Sequence, residues 1–305
     1  MLYATTTPAE KRARFRERLQ SGELLQFPGA FNPLAARLIE DRGFDGAYIS
    51  GAVIAADLAL PDVGLTTLTE VAGRGAQIAR VTDLPTLIDA DTGFGEAMNV
   101  ARTVQALEDA GVAGLHIEDQ VNPKRCGHLD GKEVVDVSTA VQRISAAVRA
   151  RRDPNLVIMA RTDIRAQAGL AATIERAKRL VDAGADAIFP EAMADLAEFE
   201  AIKTALGEVP VLANMTEFGK SELFSTDQLG SAGINLVIFP VSLLRVAMGA
   251  AERALDTLRG TGSLRSEVAG MQTRARLYEL VDYEAYNAFD TSVYNFSLEQ
   301  RGSQS

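Results

Sequence analysis

Short apolar runs recur along the whole chain, and their number restricts the possible fold more than any other feature of the sequence. Eight runs have the length and composition of buried strands, at 24–27, 46–50, 85–91, 114–119, 156–163, 187–191, 209–216 and 234–240. Strands that are apolar throughout are typical of parallel sheets, in which both faces are covered. The sequence therefore predicts eight parallel strands.

The stretches between these runs have the periodicity of helices. Apolar residues recur there at spacings of three and four, and several stretches end near a glycine, as at 98–110, 139–151, 171–183 and 243–258. Alternation of strand and helix through eight units predicts an α/β fold, a (β/α)₈ barrel of TIM type rather than an open sheet. At 305 residues, the chain is suited to one such barrel as a single domain, 1–305.

Two segments lie outside the repeating units. Thr7, Pro8 and Glu10 form the pattern of a helix N-terminus ahead of the first strand, and Gly22 can end that N-terminal helix. After the eighth unit, 263–294 contains too many apolar residues for a solvated tail. We expect extra C-terminal helices there, which pack on the barrel or on a neighbouring subunit.

The overall charge narrows the choice of partners. A formal net charge of −10 repels nucleic acid and anionic membranes, so neither is an expected partner.

No run approaches the roughly 18 apolar residues of a membrane span. One cysteine excludes an internal disulfide, and the charged first residues do not resemble a secretory signal. We therefore expect a cytoplasmic protein.

Polar residues two positions apart end four of the predicted strands. Residues at i and i+2 of a strand point to the same side, so each pair can project from the carboxyl end of the barrel, where active sites of this fold lie. Any single pair could instead cap the helix that follows. The four pairs are Asp89 with Asp91, His116 with Glu118, Arg161 with Asp163, and Asn214 with Thr216.

Three of these side chains suggest a metal. Asp89, Asp91 and Glu118 lie on neighbouring predicted strands, and Mg²⁺ prefers such oxygen ligands with room left for water and substrate. The alternative is a set of helix caps or salt bridges, but clustered carboxylates repel one another without a compensating cation or proton.

The only cysteine lies in a basic loop after the fourth strand, Lys124-Arg125-Cys126-Gly127-His128. A thiol flanked by positive charge has a lowered pKa and can act as a general acid or base. An inert buried cysteine and a solvated basic turn remain alternatives. Zinc is less favoured because no second ligand pair accompanies Cys126 and His128.

Four motifs together resemble one superfamily. They are Ser50-Gly51, Asp89-Ala90-Asp91-Thr92-Gly93-Phe94-Gly95, His116-Ile117-Glu118-Asp119-Gln120 and Pro123-Lys124-Arg125-Cys126-Gly127-His128. On these motifs the chain resembles the isocitrate lyase/phosphoenolpyruvate mutase superfamily from Gly22 to Asn295. One departure is Ala52, where many relatives have a second glycine.

The resemblance implies a role for each motif residue. Mg²⁺, with Mn²⁺ as the alternative, would lie near Asp89 and Asp91, assisted by Asp62 and Glu118. The implied catalytic residues are Cys126, Tyr48, Glu118, Arg125 and His128. The implied substrate-binding residues are Ser50, Gly51, Lys124, Gly127, Arg161, Glu191, Asn214, Thr216, Arg245 and Arg274. Phe189, Ile238 and Pro240 are positioned to surround a substrate methyl group, although each could equally belong to the barrel core.

The resemblance also implies a reaction on a small polycarboxylate. It is closest to the branch that cleaves 2-methylisocitrate to pyruvate and succinate, a step of the methylcitrate cycle in propionate catabolism. Metal-assisted, retro-aldol-type cleavage would use Cys126 as general acid, with Tyr48 or Glu118 as base. Isocitrate cleavage, oxaloacetate decarboxylation and a non-catalytic barrel that binds or assembles with a partner remain alternatives. The family further implies a homotetramer.

Overall fold

Eight strands form the centre of the protein. The computed structural model describes residues 4–125, 131–219 and 221–294. Each strand overlaps one of the predicted runs. In chain order they are β1 Leu25–Pro28, β2 Ala47–Ile49, β3 Thr86–Asp89, β4 Gly114–Glu118, β5 Val157–Thr162, β6 Ala187–Pro190, β7 Leu212–Asn214 and β8 Leu236–Phe239.

All strand pairs are parallel, and the pairing closes on itself. Regular ladders join β2, β3, β4, β5 and β6 in that order, and a second set joins β1, β8 and β7. Two isolated parallel bridges complete the circle, from Gly29 to Tyr48 and from Ile188 to Val211. The predicted (β/α)₈ barrel is therefore confirmed.

Helices follow the strands and surround them. They are α1 Pro8–Gln20, α2 Pro33–Asp41, α3 Gly51–Asp57, α4 Leu68–Ala79, α5 Ala97–Asp109, α6 Val137–Ala150, α7 Arg165–Asp182, α8 Leu196–Leu206, α9 Thr226–Ser231, α10 Ser242–Thr261, α11 Arg274–Leu280 and α12 Tyr283–Tyr294. A 3₁₀ turn at Val268–Gly270 precedes α11. Within the described residues, no helix has both the length and the apolar character needed to span a membrane.

The N-terminal helix α1 closes the amino end of the barrel. Thr7 and Glu10 form the expected capping box. Phe15 and Leu19 belong to the same buried cluster as the inward side chains of the strands, and the Phe15 ring lies 5.1 Å from that of Phe27. Lys11 Nζ donates to the carbonyl oxygen of Ala79 at 2.8 Å, which fixes the helix to the barrel wall.

Inward side chains change from apolar to polar along several of the strands. On β5, Val157 and Met159 lie in the barrel interior, and Arg161, two residues further on, reaches the carboxyl end. On β7, Leu212 is interior and Asn214 is at the same end. Because strand side chains repeat with a period of two, the same strands place apolar side chains in the core and polar side chains at the carboxyl end of the barrel.

Candidate active site

A cavity of about 360 Å³ opens at the carboxyl end of the barrel. Ten of the residues predicted from sequence line this cavity, which we call the mouth pocket. They are Tyr48, Ser50, Asp62, Asp89, Lys124, Arg161, Glu191, Asn214, Thr216 and Arg245. They come from widely separated parts of the sequence, and the barrel brings them together.

Arg161 is the central cation of the mouth pocket. Its Nε lies 3.3 Å from Glu118 Oε2, and its Nη2 lies 3.1 Å from Glu191 Oε2. Asp163 Oδ2 accepts from the same Nε at 3.0 Å, and the guanidinium carbon is 5.0 Å from the centre of the Phe189 ring. The side chain is buried, so its direction is fixed by these contacts rather than by solvent.

Asp89 and Asp91 are held beside each other by the backbone. The N–H of Gly51 donates to Asp89 Oδ2 at 3.2 Å, and the N–H of Asp91 donates to Asp89 Oδ1 at 3.0 Å. A Cβ at Gly51 would lie 3.0 Å from Asp89 Oδ2, so glycine allows this close approach. Asp91 itself has a φ of 46°, a turn conformation that aspartate tolerates better than most residues.

Lys124 occupies the space between two carboxylates. Its Nζ is 2.8 Å from Asp91 Oδ1 and forms a close ion pair with Asp62. The lysine is buried, so solvent and salt weaken this ion pair less than they would a surface pair. Asp62, which the resemblance placed near the metal, thus lies beside Asp91 with a lysine ammonium in contact with both.

The carboxylates fit a divalent cation that keeps water ligands. Glu118 Oε1 is buried and has no hydrogen-bond partner within the described residues. Burial raises the pKa of Glu118, and burial together with Asp89 raises that of Asp91 to about 6 although Lys124 opposes the shift. Burial is the main cause of both shifts, and a bound cation would oppose them by favouring the charged carboxylates.

The described residues do not by themselves supply a complete cage for a metal. No group of three His, Cys, Asp or Glu side chains is arranged to hold an ion within residues 4–125, 131–219 and 221–294. Mg²⁺ is commonly bound through one or two carboxylates, with water and substrate as its other ligands. The donor set at Asp89 and Asp91 is of this kind.

A buried tyrosine–histidine pair forms one wall of the pocket. Tyr48 Oη and His116 Nε2 are 2.7 Å apart, and His116 Nδ1 lies 3.7 Å from Asp89 Oδ1. Burial lowers the pKa of His116 to about 4 and raises the pKa of Tyr48, so both groups are neutral at pH 7. His116 was given no catalytic or binding role, although its pairing with Glu118 in the sequence already placed it at the carboxyl end of the barrel.

Arg245 lies at the rim opposite this wall. Its Nη1 is 3.2 Å from Thr216 Oγ1 and 2.8 Å from Glu217 Oε2, and its guanidinium lies over the ring of Phe218 at 5.4 Å. Together with Arg161 and Lys124 it provides the local positive charge that a polyanionic substrate requires from a protein of net charge −10.

Three predicted residues border the mouth pocket without lining it. Gly51 and Asp91 contact Asp89, and Glu118 contacts Arg161. Of the three residues expected around a substrate methyl group, Pro240 lines the cavity. Phe189 and Ile238 are fully buried in the barrel interior, which is the alternative that the sequence left open for them.

Two further predicted residues, Arg125 and Arg274, lie outside the pocket. Arg125 has an exposed side chain. Arg274 is exposed at the start of α11, on a helix that packs against α2 on the outside of the barrel. Cys126, Gly127 and His128 lie outside the described residues.

Comparison with known protein families shows which family this chain belongs to. The family model described as phosphoenolpyruvate phosphomutase matches residues 15–259, which covers all eight barrel strands. The chain belongs to the phosphoenolpyruvate phosphomutase family. Its membership of the superfamily inferred from the four motifs is thereby confirmed.

Individual members of the family are similar over nearly the whole chain. A Corynebacterium glutamicum protein named "Probable 2-methylisocitrate lyase 2" is 58% identical, over 97% of this chain and 96% of that protein. The crystal structure of 2,3-dimethylmalate lyase, a PEP mutase/isocitrate lyase superfamily member, superposes with a TM-score of 0.87 at 32% identity, over 97% of this chain and 100% of that one. Phosphonopyruvate hydrolase, solved with oxalate and Mg²⁺, has a TM-score of 0.84 at 28% identity, over 94% and 99%.

Proposed function

We propose that this protein is a carbon–carbon lyase that cleaves 2-methylisocitrate to pyruvate and succinate, the reaction of the methylcitrate cycle. The observation that carries the proposal is the mouth pocket itself, in which the Asp89 carboxylate faces the cations of Lys124, Arg161 and Arg245. Two relatives of this chain, at 58% and 59% identity, are named probable 2-methylisocitrate lyases. The pocket of this protein has the charged groups that their tricarboxylate substrate needs.

Asp89 and Asp91 would hold the metal, Mg²⁺ or in its place Mn²⁺, with Asp62 and Glu118 assisting. Such an ion, when bound, polarises the substrate hydroxyl and its neighbouring carboxylate and so favours departure of the hydroxyl proton. The buried Glu118 Oε1 without a hydrogen-bond partner among the described residues supports this assignment.

We assign the predicted site residues to the two halves of the substrate. Tyr48, Ser50, Gly51 and Arg161 would bind the half that leaves as pyruvate. The other half carries two carboxylates that need cations and neutral donors. Residues proposed for that half are Lys124, Gly127, Glu191, Asn214, Thr216, Arg245 and Arg274.

Cleavage needs a base at one end of the breaking bond and an acid at the other. Glu118 as a carboxylate, or Tyr48 after its phenol proton has passed to His116 Nε2 at 2.7 Å, takes the hydroxyl proton, the carbonyl of pyruvate forms, and the electrons of the broken bond remain on the succinate half. Cys126 gives its proton to that carbon, and Arg125 and His128 balance the charge on the adjacent carboxylate. The enzyme would act in the cytoplasm on a small dissolved substrate, without nucleic acid or membrane as partner.

Product analysis tests the proposal. Purified protein with Mg²⁺ should release pyruvate from 2-methylisocitrate, and the Cys126→Ser variant should lose this activity while it still binds pyruvate. Chelation of the metal should abolish turnover reversibly. Preference over isocitrate should be modest, because one methyl group in an apolar pocket contributes about 1 to 3 kcal/mol.

Other products would identify another member of the family. Glyoxylate from isocitrate at equal or better efficiency would make the protein an isocitrate lyase. Pyruvate and carbon dioxide from oxaloacetate alone would make it a decarboxylase. No turnover of any of the three substrates by the metal-loaded protein would leave a binding or assembly role.

A further inference from the structure

Asp163, directly after β5, holds the guanidinium of Arg161 through two of its nitrogens. Asp163 Oδ2 accepts from Arg161 Nε at 3.0 Å, and Asp163 Oδ1 accepts from Arg161 Nη2 at 3.4 Å. A carboxylate that binds two nitrogens of a guanidinium side by side fixes the direction of this planar cation as well as its position. Asp163 was noted in the sequence only as the neighbour of Arg161 at the end of a strand.

Asp163 has no access to a ligand of its own. It is fully buried and does not line the mouth pocket, whereas Arg161 does. Its backbone N–H donates to Asp119 Oδ1 at 2.9 Å, and Asp119 Oδ2 accepts from Arg176 Nη1 of α7 at 2.9 Å. The backbone of Asp163 is therefore fixed, and its carboxylate can influence a ligand only through Arg161.

Lys132 balances the charge of this carboxylate. Its Nζ donates to Asp163 Oδ1 at 2.7 Å, and both side chains are almost completely buried. Gln167 Nε2 donates to the carbonyl oxygen of Lys132 at 2.6 Å, which holds the lysine in place. Because two cations share one carboxylate, Asp163 can direct Arg161 without cancelling the positive charge that a substrate carboxylate requires.

We propose that Asp163, with Lys132 as its counter-ion, is the positioning residue for Arg161. An arginine binds a carboxylate best through two parallel hydrogen bonds, so its affinity for a ligand depends on the direction of the guanidinium plane. Asp163 sets that direction from the protein side of the pocket. The inference rests on the proposed role of Arg161 in binding the pyruvate half of the substrate.

Other roles for Asp163 predict different results. If Asp163 acted through its charge alone, a neutral residue in its place would strengthen the binding of an anion, because one repelling carboxylate would be gone. If its role were merely structural, the variant would be less stable and would bind anions as before. Weaker anion binding by a folded variant is expected only if the direction of Arg161 is lost.

The first measurement is the binding of oxalate to the protein with Mg²⁺, by calorimetry. Oxalate has oxygens on two adjacent carbons, as pyruvate has, and the relative phosphonopyruvate hydrolase was solved with oxalate and Mg²⁺. For Asp163→Asn we expect the Kd for oxalate to rise by about ten-fold or more, as for the loss of one charge-assisted hydrogen bond. Wild-type or tighter binding by the folded variant would overturn the proposal.

Asp186→Asn is the matched control. Asp186 also pairs with two arginines, Arg16 and Arg151, but it lies just before β6 at the amino end of the barrel. This variant should have a lower melting temperature and an unchanged Kd for oxalate. An equal rise of Kd in Asp163→Asn and Asp186→Asn would assign the effect to lost stability and refute the positioning role.

A double variant covers a failure of Asp163→Asn to fold. The single change leaves the buried Lys132 without this carboxylate, whereas Asp163→Asn combined with Lys132→Met removes one charge of each sign. The double variant should bind oxalate several-fold more weakly than wild type, because asparagine offers one acceptor oxygen where aspartate offers two. Wild-type affinity in the double variant would contradict the proposal.

Turnover separates this proposal from the proposed function. With 2-methylisocitrate, Asp163→Asn should lower kcat/KM by roughly 10²-fold, because Arg161 is displaced from the substrate. A wild-type protein that binds oxalate but releases no pyruvate would refute the proposed function, and the oxalate affinities of the variants would still decide the positioning role. A wild-type protein that does not bind oxalate with Mg²⁺ would refute Arg161 as a ligand for carboxylates and this inference with it.

Discussion

At the scale of single residues, the site is built from buried charges that stabilise one another. Arg161 contacts Glu118, Asp163 and Glu191, and each of these carboxylates is also buried. Removal of one partner from such a network leaves an uncompensated charge, which costs more than the intact network contributes. Substitutions there should affect stability and catalysis together.

We expect Arg161→Lys to be damaging although it keeps the charge. A lysine ammonium cannot bind Glu118 and Glu191 through a planar fork, so one carboxylate loses its partner. The free energy of unfolding should fall by about 3 to 5 kcal/mol. Denaturant unfolding measures the loss, and kcat/KM should fall as well. Arg179→Lys, at an exposed pair with Glu175, serves as control and should change stability by less than about 0.5 kcal/mol.

The sequence was informative about residues on strands and less so about residues on loops. Asp89, Arg161 and Asn214 could be placed in the mouth pocket from the period of two alone. The contact of Lys124 with Asp62 and Asp91 could not, because it depends on the conformations of two loops. The choice between pocket and core for Phe189 and Ile238 stayed open because the same period does not say at which strand residue the interior ends.

At the scale of elements, α1 belongs to the barrel core although it precedes the first strand. Phe15 and Leu19 are almost completely buried against interior strand residues. The capping pattern at Thr7 predicted the start of this helix, but no sequence pattern showed that it closes the barrel. The short α3, Gly51–Asp57, was not predicted at all, since it begins directly after β2 without a side-chain cap.

Phe15→Ala should therefore destabilise the protein without altering the site. Loss of a fully buried aromatic side chain typically costs about 3 to 5 kcal/mol because a cavity remains. Thr7→Ala, which removes only the cap of the same helix, should cost about 1 kcal/mol. Urea unfolding should rank the two variants in this order, and kcat at low temperature should stay at the wild-type value for both. A reduced kcat for Phe15→Ala under folded conditions would mean that packing at the amino end of the barrel influences the mouth pocket at the carboxyl end.

At the scale of the whole molecule, the C-terminal helices expose an unusual amount of apolar surface. Val246 on α10 is 71% exposed, and Phe289 and Tyr294 on α12 are 56% and 80% exposed. No residue of α10 or α12 is buried. Large exposed apolar patches mark interaction surfaces. In the expected homotetramer, in which 263–294 packs on a neighbouring subunit, this surface would be covered.

Sedimentation should test this assembly before any activity is measured. We expect the wild-type chain to sediment as a tetramer and the Phe289→Glu variant to dissociate, because a carboxylate cannot be buried without a partner. Lys178→Glu, a charge change on the barrel helix α7, serves as control and should leave the assembly intact. A wild-type monomer at working concentration would end the tetramer hypothesis.

Such an assembly would also give a role to Arg274, which is exposed far from the pocket of its own chain. If Arg274 binds substrate in a neighbouring subunit, Cys126→Ser and Arg274→Ala proteins should each be inactive alone but recover activity when subunits are exchanged. Random mixing in equal amounts puts an intact Cys126 beside a neighbour's intact Arg274 in roughly a quarter of the sites. The double variant mixed with Cys126→Ser should recover nothing. Equal inactivity of both mixtures would show that Arg274 does not act across the interface, and its place in the substrate site would have to be abandoned.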